Sequence, residues 1–158
     1  MLTEQQKAAL KAYILATPAL AAIATGAATD YQAIADALNA EASPVVKAWR
    51  VSMPKVELVE ASIEEISAFD NLTAGKRDAW ALFISLPVYD FSRNKIRSAV
   101  GKVWANAQRD AILTACLENA KVCEVQAGGS SVTEGGVTGW KRSFVGSMDT
   151  ISVSEILA

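Results

Sequence analysis

The character of this chain changes at about Gln126, and that change limits its architecture more than any single motif. Ahead of it the sequence is Ala-rich, apolar at helical spacing and punctuated by helix caps. Beyond it come Gly128, Gly129, Gly135, Gly136 and Gly139. Glycine at this density favours turns and extended, jointed chain over helix. The layout this predicts is a helical body over residues 1–127 and a glycine-rich arm over residues 128–158.

Cap signals divide the body. Thr3 and Gln6 match a capping box ahead of Leu10, Tyr13 and Ile14. Thr17-Pro18 restarts a helix after a corner, because Pro suits the first helical position. Asp30 caps a helix with Ile34, Ala35 and Leu38 on one face. Ser43-Pro44 repeats the cap-plus-proline device, and Ser62 with Glu65 reads as a second capping box heading Ile63, Ile66 and Phe69. Residues 56–59 fit either a strand or a turn of helix. Thr73 caps a helix whose apolar stripe is Trp80, Phe83 and Ile84, and Asp90 or Ser92 opens the longest element. That element, over residues 92–120, would be about 43 Å long if unbroken, with Gly101 its weak point. The tail alternates weakly over residues 140–145 and 150–153, which predicts a loose hairpin or extended arm. The expected fold is mainly α: a bundle of about five to six helices with one long C-terminal helix, followed by an extended or β-hairpin arm.

Composition then narrows the function classes. With 51% apolar and 20% charged residues, the 158-residue chain has the means to build a folded core. A net charge of −2 gives no global field toward nucleic acid. There is no histidine, which removes the commonest general base and metal ligand and rules out Ser-His-Asp and Cys-His arrangements. Cys116 and Cys123, seven residues apart, would stand roughly 10 Å apart along one helix, too far for a disulfide. They read as small apolar residues. The apolar run over residues 12–28 is too short and alanine-dominated to span a bilayer. No membrane, metal or cofactor is expected, and no enzymatic activity.

Each charged cluster has a structural explanation. Ala74-Gly75-Lys76-Arg77 lacks the upstream glycine and following Ser or Thr of a phosphate loop, so it reads as an exposed helix face. Glu57, Glu60, Glu64 and Glu65 read as a solvated acidic face, and Asp70 and Asp90 as helix caps. Arg93, Lys95, Arg97 and Lys102 form one basic flank, either paired or facing DNA through sequence-blind phosphate contacts. Trp140, Lys141, Arg142 and Phe144, with Ile151 and Leu157, form the expected partner-binding set. Aromatics and Arg dominate binding hot spots, and the arm docks either on a neighbour or on its own body.

Trp49-Arg50 with Pro54, residues 92–99 opening a long helix, and the glycine-rich end resemble in order the small connector or adaptor proteins of tailed-phage genomes. That resemblance implies a structural virion protein at the head–tail junction, made in the host cytoplasm. It implies a ring of about twelve copies under the portal protein, with arms reaching neighbouring subunits or a tail or nozzle protein. Non-specific contact with packaged DNA would fall to the basic flank. The alternative is a small cytoplasmic helical binding or regulatory module acting as a monomer or dimer.

Overall fold

The computed structural model describes residues 1–63 and 65–158. It corrects the expected fold class: the described residues form a mixed α/β structure of ten helices and six strands, not a mainly α bundle with one long C-terminal helix. In chain order the first half contains α1 (Glu4–Ala16), α2 (Pro18–Ala24), α3 (Tyr31–Asn39), β1 (Lys47–Trp49), β2 (Met53–Pro54), α4 (Lys55–Ile63), α5 (Ile66–Phe69) and α6 (Ala74–Phe83). The second half contains β3 (Val88–Tyr89), α7 (Asn94–Val103), α8 (Asn106–Ala115), β4 (Leu117–Asn119), α9 (Val122–Gln126), β5 (Gly129–Glu134), β6 (Val137–Arg142) and α10 (Thr150–Leu157).

Two compact units share the chain. The first takes Met1–Val46, Asn119–Ser130 and Arg142–Ala158; the second takes Lys47–Glu118 and Ser131–Lys141. Residues from both sides of Gln126 therefore enter each unit. Val137 belongs to the core of the second, and Met148, Val153 and Ile156 to that of the first.

In the first unit, α1, α3 and α10 bring Leu10, Ile14, Ile34, Leu38, Val153 and Ile156 into one core. The Thr3–Gln6 capping box forms as the sequence predicts, with both bonds present. Asp30 caps α3 by accepting from the Ala33 amide at 3.0 Å. The corner at Thr17-Pro18 bends α1 and α2 by 104°. The segment expected to extend after Gly146 is instead α10, capped by Asp149, which accepts from the Ser152 amide at 2.7 Å.

The predicted helix over residues 92–120 divides into α7, α8 and β4. Trp104 and Ala105 are extended between the two helices, and Asn106 has φ 51°, a left-handed conformation that asparagine tolerates. The cause is core demand. The apolar stripe of α7 ends at Val103, and Trp104 must turn inward to be buried. Gly101 stays inside α7, and the break falls after it. Ser62 caps no helix among the described residues; it lies in the last turn of α4, where its hydroxyl donates to the Val59 carbonyl at 2.8 Å. Glu64 and the side chain of Ile66, both part of that expected capping motif, lie outside the described residues. Residues 56–59 are helical, within α4, and strand β1, not a helix, follows Ser43-Pro44.

The four-stranded sheet runs β4-β1-β6-β5, with β1 parallel to β6 through Ala48 beside Trp140. A two-stranded sheet pairs β2 with β3, Met53 opposite Tyr89. The hairpin β5–β6 turns at Gly135-Gly136. Gly135 has φ 60°, and a Cβ there would strike the Arg109 guanidinium, so glycine is required.

Asp110 holds this turn. It accepts from the Gly136 amide at 3.1 Å and from Arg109 Nε at 2.8 Å. The Arg109 hydrogen bond, then the Gly136 one, keeps its carboxyl below the usual aspartate range. A carboxyl depressed by folding contributes stability above its unfolded pKa and loses it as pH falls through the folded value. The exchange protection of the Gly136 amide, corrected for intrinsic rates, is therefore expected to fall on acidification below the usual carboxylate range. Constant protection through that range would mean that the turn holds without the charge.

Candidate interaction surface

Helix α6 of the second unit is largely exposed. Thr73 caps it by accepting from the Lys76 amide at 3.3 Å, and Trp80 is its one buried residue. Trp80 stands edge-on to Trp104 at 5.5 Å between ring centroids and stacks on Phe83 at 5.3 Å. Those aromatics fix α6 along a single strip. Its remaining apolar residues face outward: Leu82 is 75% exposed, and Leu86 and Val88 just beyond the helix are exposed too.

An apolar depression lies on each side of α6. On the α4–α5 side one of about 200 Å³ is lined by Val59, Ile63, Phe69, Trp80, Ala81 and Ile84. On the α7 side a groove of about 410 Å³ is lined by Leu82, Phe83, Leu86, Ala99, Lys102 and Val103. Val56 and Ile63, the latter 52% exposed, extend the apolar surface along α4. Exposed apolar patches rimmed by polar residues are one mark of association surfaces in soluble proteins.

Charge divides the two sides. Residues 56–75 contain Glu57, Glu60, Glu64, Glu65 and Asp70 and neither Lys nor Arg. Residues 91–109 contain Arg93, Lys95, Arg97, Lys102 and Arg109 and neither Asp nor Glu. Several of these are committed locally. Glu57 is bonded to Arg50, which holds its carboxyl low, and Arg50 also faces Glu118 at 3.9 Å. Arg93 pairs with Asp90 at 3.0 Å and Arg109 with Asp110 at 2.8 Å. Glu60 on one side and Lys95 and Lys102 on the other are exposed and make no ion pair among the described residues.

Arg97 is not on the surface. It is 2% exposed, donates to the Phe91 carbonyl at 2.6 Å and lies 5.1 Å from the centre of the Trp49 ring. The basic flank open to a partner therefore consists of Arg93, Lys95 and Lys102.

The expected docking set of the arm is dispersed. Trp140 is half-buried in β6 and Lys141 exposed beside it. Arg142 is buried and bonded to Glu124 at 2.9 Å. Phe144 and Leu157 pack against the first unit's core. Of the six residues, Ile151, 68% exposed, and Lys141 stand fully open. Cys116 and Cys123 are both buried and free; burial is the main cause raising both thiols, that of Cys123 to about 11, so neither is a nucleophile. No group of three metal-ligating side chains occurs among the described residues.

The α6 surface carried a sequence signal that a single-stripe reading passes over. Leu82 and Leu86 are four apart and lie off the Trp80–Ile84 stripe, so the segment is apolar on more than one side. A comparison of the chain with protein-family models, curated proteins and solved structures finds no match.

Proposed function

We propose that this protein is a non-enzymatic structural subunit of a tailed-phage particle, a head–tail adaptor that works by contacts with copies of itself, with the portal protein and with a tail or nozzle component. The observation that carries this reading is the uncovered apolar surface around α6, where Leu82, Leu86, Val88 and Ile63 are all exposed. An apolar surface rimmed by charge is suited to protein association. The buried polar groups are consistent with the same reading, because Arg97 and the Arg142–Glu124 pair are bonded within the protein.

The reading differs from the sequence-based expectation in where contact is made. Arg142 and Phe144 are engaged in the first unit, so the larger share of contact passes to the second unit. Lys141 and Ile151 remain for a secondary contact. The exposed Lys95 and Lys102 leave non-specific contact with packaged DNA open to the same subunit.

Immunogold labelling of purified particles with antibody against this chain tests the reading. A single labelled position at the junction of head and tail is expected, together with co-sedimentation of the chain with assembled portal rings. Absence of the chain from purified particles, or label spread over the capsid, would overturn it in favour of a cytoplasmic binding module.

A further inference from the structure

We infer that the protein associates head to tail with copies of itself, the acidic outer face of α4–α5 in one copy seating in the basic-rimmed groove between α6 and α7 of the next. This rests on the reading of the chain as a structural subunit, and it adds which two surfaces meet and why they differ.

Both surfaces belong to the second unit and each is incomplete alone. On α4, Val56, Glu60 and Ile63 recur at the spacing of one helix face, and all three are exposed. With nine residues, α4 is about 13 Å long; α6 and α7, with ten each, are about 15 Å. A helix of that length fits along a groove of that length, and an amphipathic helix laid in an apolar groove is a recurrent mode of recognition. The groove floor is Phe83, Ala99 and Val103, and its exposed wall is Leu82 and Leu86.

Charge selects the pairing. Groove against groove would set Lys95 and Lys102 of one copy beside the same residues of the other, and α4 against α4 would oppose two Glu60 residues. Like charges at an interface disfavour both. Acidic face against basic groove instead places Glu60 and Glu65 toward Lys95 and Lys102. Lys55 at the start of α4 and Asp78 on α6, both exposed, supply the converse pair. Two different patches that fit each other make a heterologous interface, which repeats until rotation closes a ring or a helical filament grows. Glu60, Lys95 and Lys102 are exposed, so salt weakens the association.

The experiment is light scattering of the full chain over a concentration series at low and high salt. Species larger than a monomer are expected, smaller at high salt. Ile63→Lys places a cation against the basic groove, and Leu82→Glu places an anion against the acidic face. Both residues are well exposed, so each variant is expected to keep the wild-type circular dichroism spectrum. Each alone is expected to lose association, and the two mixed to regain it in a 1:1 ratio, because each retains the surface the other lacks. A wild-type chain that stays monomeric at low salt overturns the inference. So does an Ile63→Lys variant that associates like wild type, which would mean groove on groove, or a mixture that stays monomeric. Particle labelling at the head–tail junction with a monomeric purified chain would defeat this inference and leave the adaptor reading standing. Self-association without any label in particles would do the reverse.

Discussion

Replacing Arg142 by Met is expected to destabilise the protein by about 3–5 kcal/mol, because it leaves the Glu124 carboxylate buried without its cation. The pair is 2.9 Å apart, with side chains 3% and 4% exposed. Glu124 also accepts from the Lys121 amide at 3.1 Å and the Gly146 amide at 3.2 Å. It thereby ties α9 to the segment that leads into α10. Removing the charge partner leaves the carboxylate with those two amide donors in a place water reaches poorly. Combining Arg142→Met with Glu124→Gln should recover part of the loss, since it removes the unpaired buried charge and keeps an amide oxygen for one of those N–H groups. Urea denaturation of the two single variants and the double variant measures this. A single-variant cost below about 1 kcal/mol, the range of exposed pairs, would return Arg142 to the candidates for partner contact. A large cost places the cation of the expected partner-binding set in the protein's own interior.

That reassignment marks the limit of what the sequence discloses. Signals that act within a few residues were legible: the Thr3–Gln6 box, the Asp30 and Thr73 caps and the corner at Thr17-Pro18 all form where local chemistry puts them. Strands β1 to β4 were not legible, because pieces of two or three residues are too short to show alternation. They depend on partners far along the chain, as Ala48 does on Trp140. The break after Val103 had a trace in the sequence: the apolar strip of Ile96, Val100 and Val103 does not continue in register into Ile112, Leu113 and Cys116. A single helix over residues 92–120 leaves out the inward turn of Trp104, whose ring lies against Trp80 and Phe69. For the interaction surface, the two charge runs could be read directly, whereas their placement on either side of an uncovered helix required the tertiary fold.

Trp49→Ala is expected to cost about 3–5 kcal/mol, the range for removing a large aromatic from a core. Its effect should extend beyond the cavity it leaves. The indole N–H donates to the Val132 carbonyl at 3.2 Å, reaching from β1 toward β5 across β6. It passes where Gly139 leaves room: a Cβ at that position would lie 2.8 Å from the indole and 2.5 Å from Leu117 Cδ2. Trp49 also supplies the aromatic face for Arg97, a buried cation that makes no ion pair among the described residues and whose pKa burial lowers. A cation over an indole is held by the ring's negative face, so alanine removes packing, a hydrogen bond and the seat of a buried charge together. Trp49→Phe, which keeps a ring but not the donor, should lose less. Gly139→Ala should destabilise while leaving Trp49 in place, because overpacking forces the indole or β6 to move. Thermal unfolding of the three variants measures the order, with Trp49→Ala lowest. If Trp49→Ala and Trp49→Phe unfold alike, the ring contributes little beyond the hydrogen bond, and Arg97 must be stabilised chiefly by the Phe91 carbonyl. Should the expected order hold, Trp49 and Arg97, which enter the sequence analysis as parts of a family resemblance and of a basic flank, serve to set β1, β6 and α7. On the function proposed above, contact with a partner falls to the side chains around α6 that the core leaves uncovered.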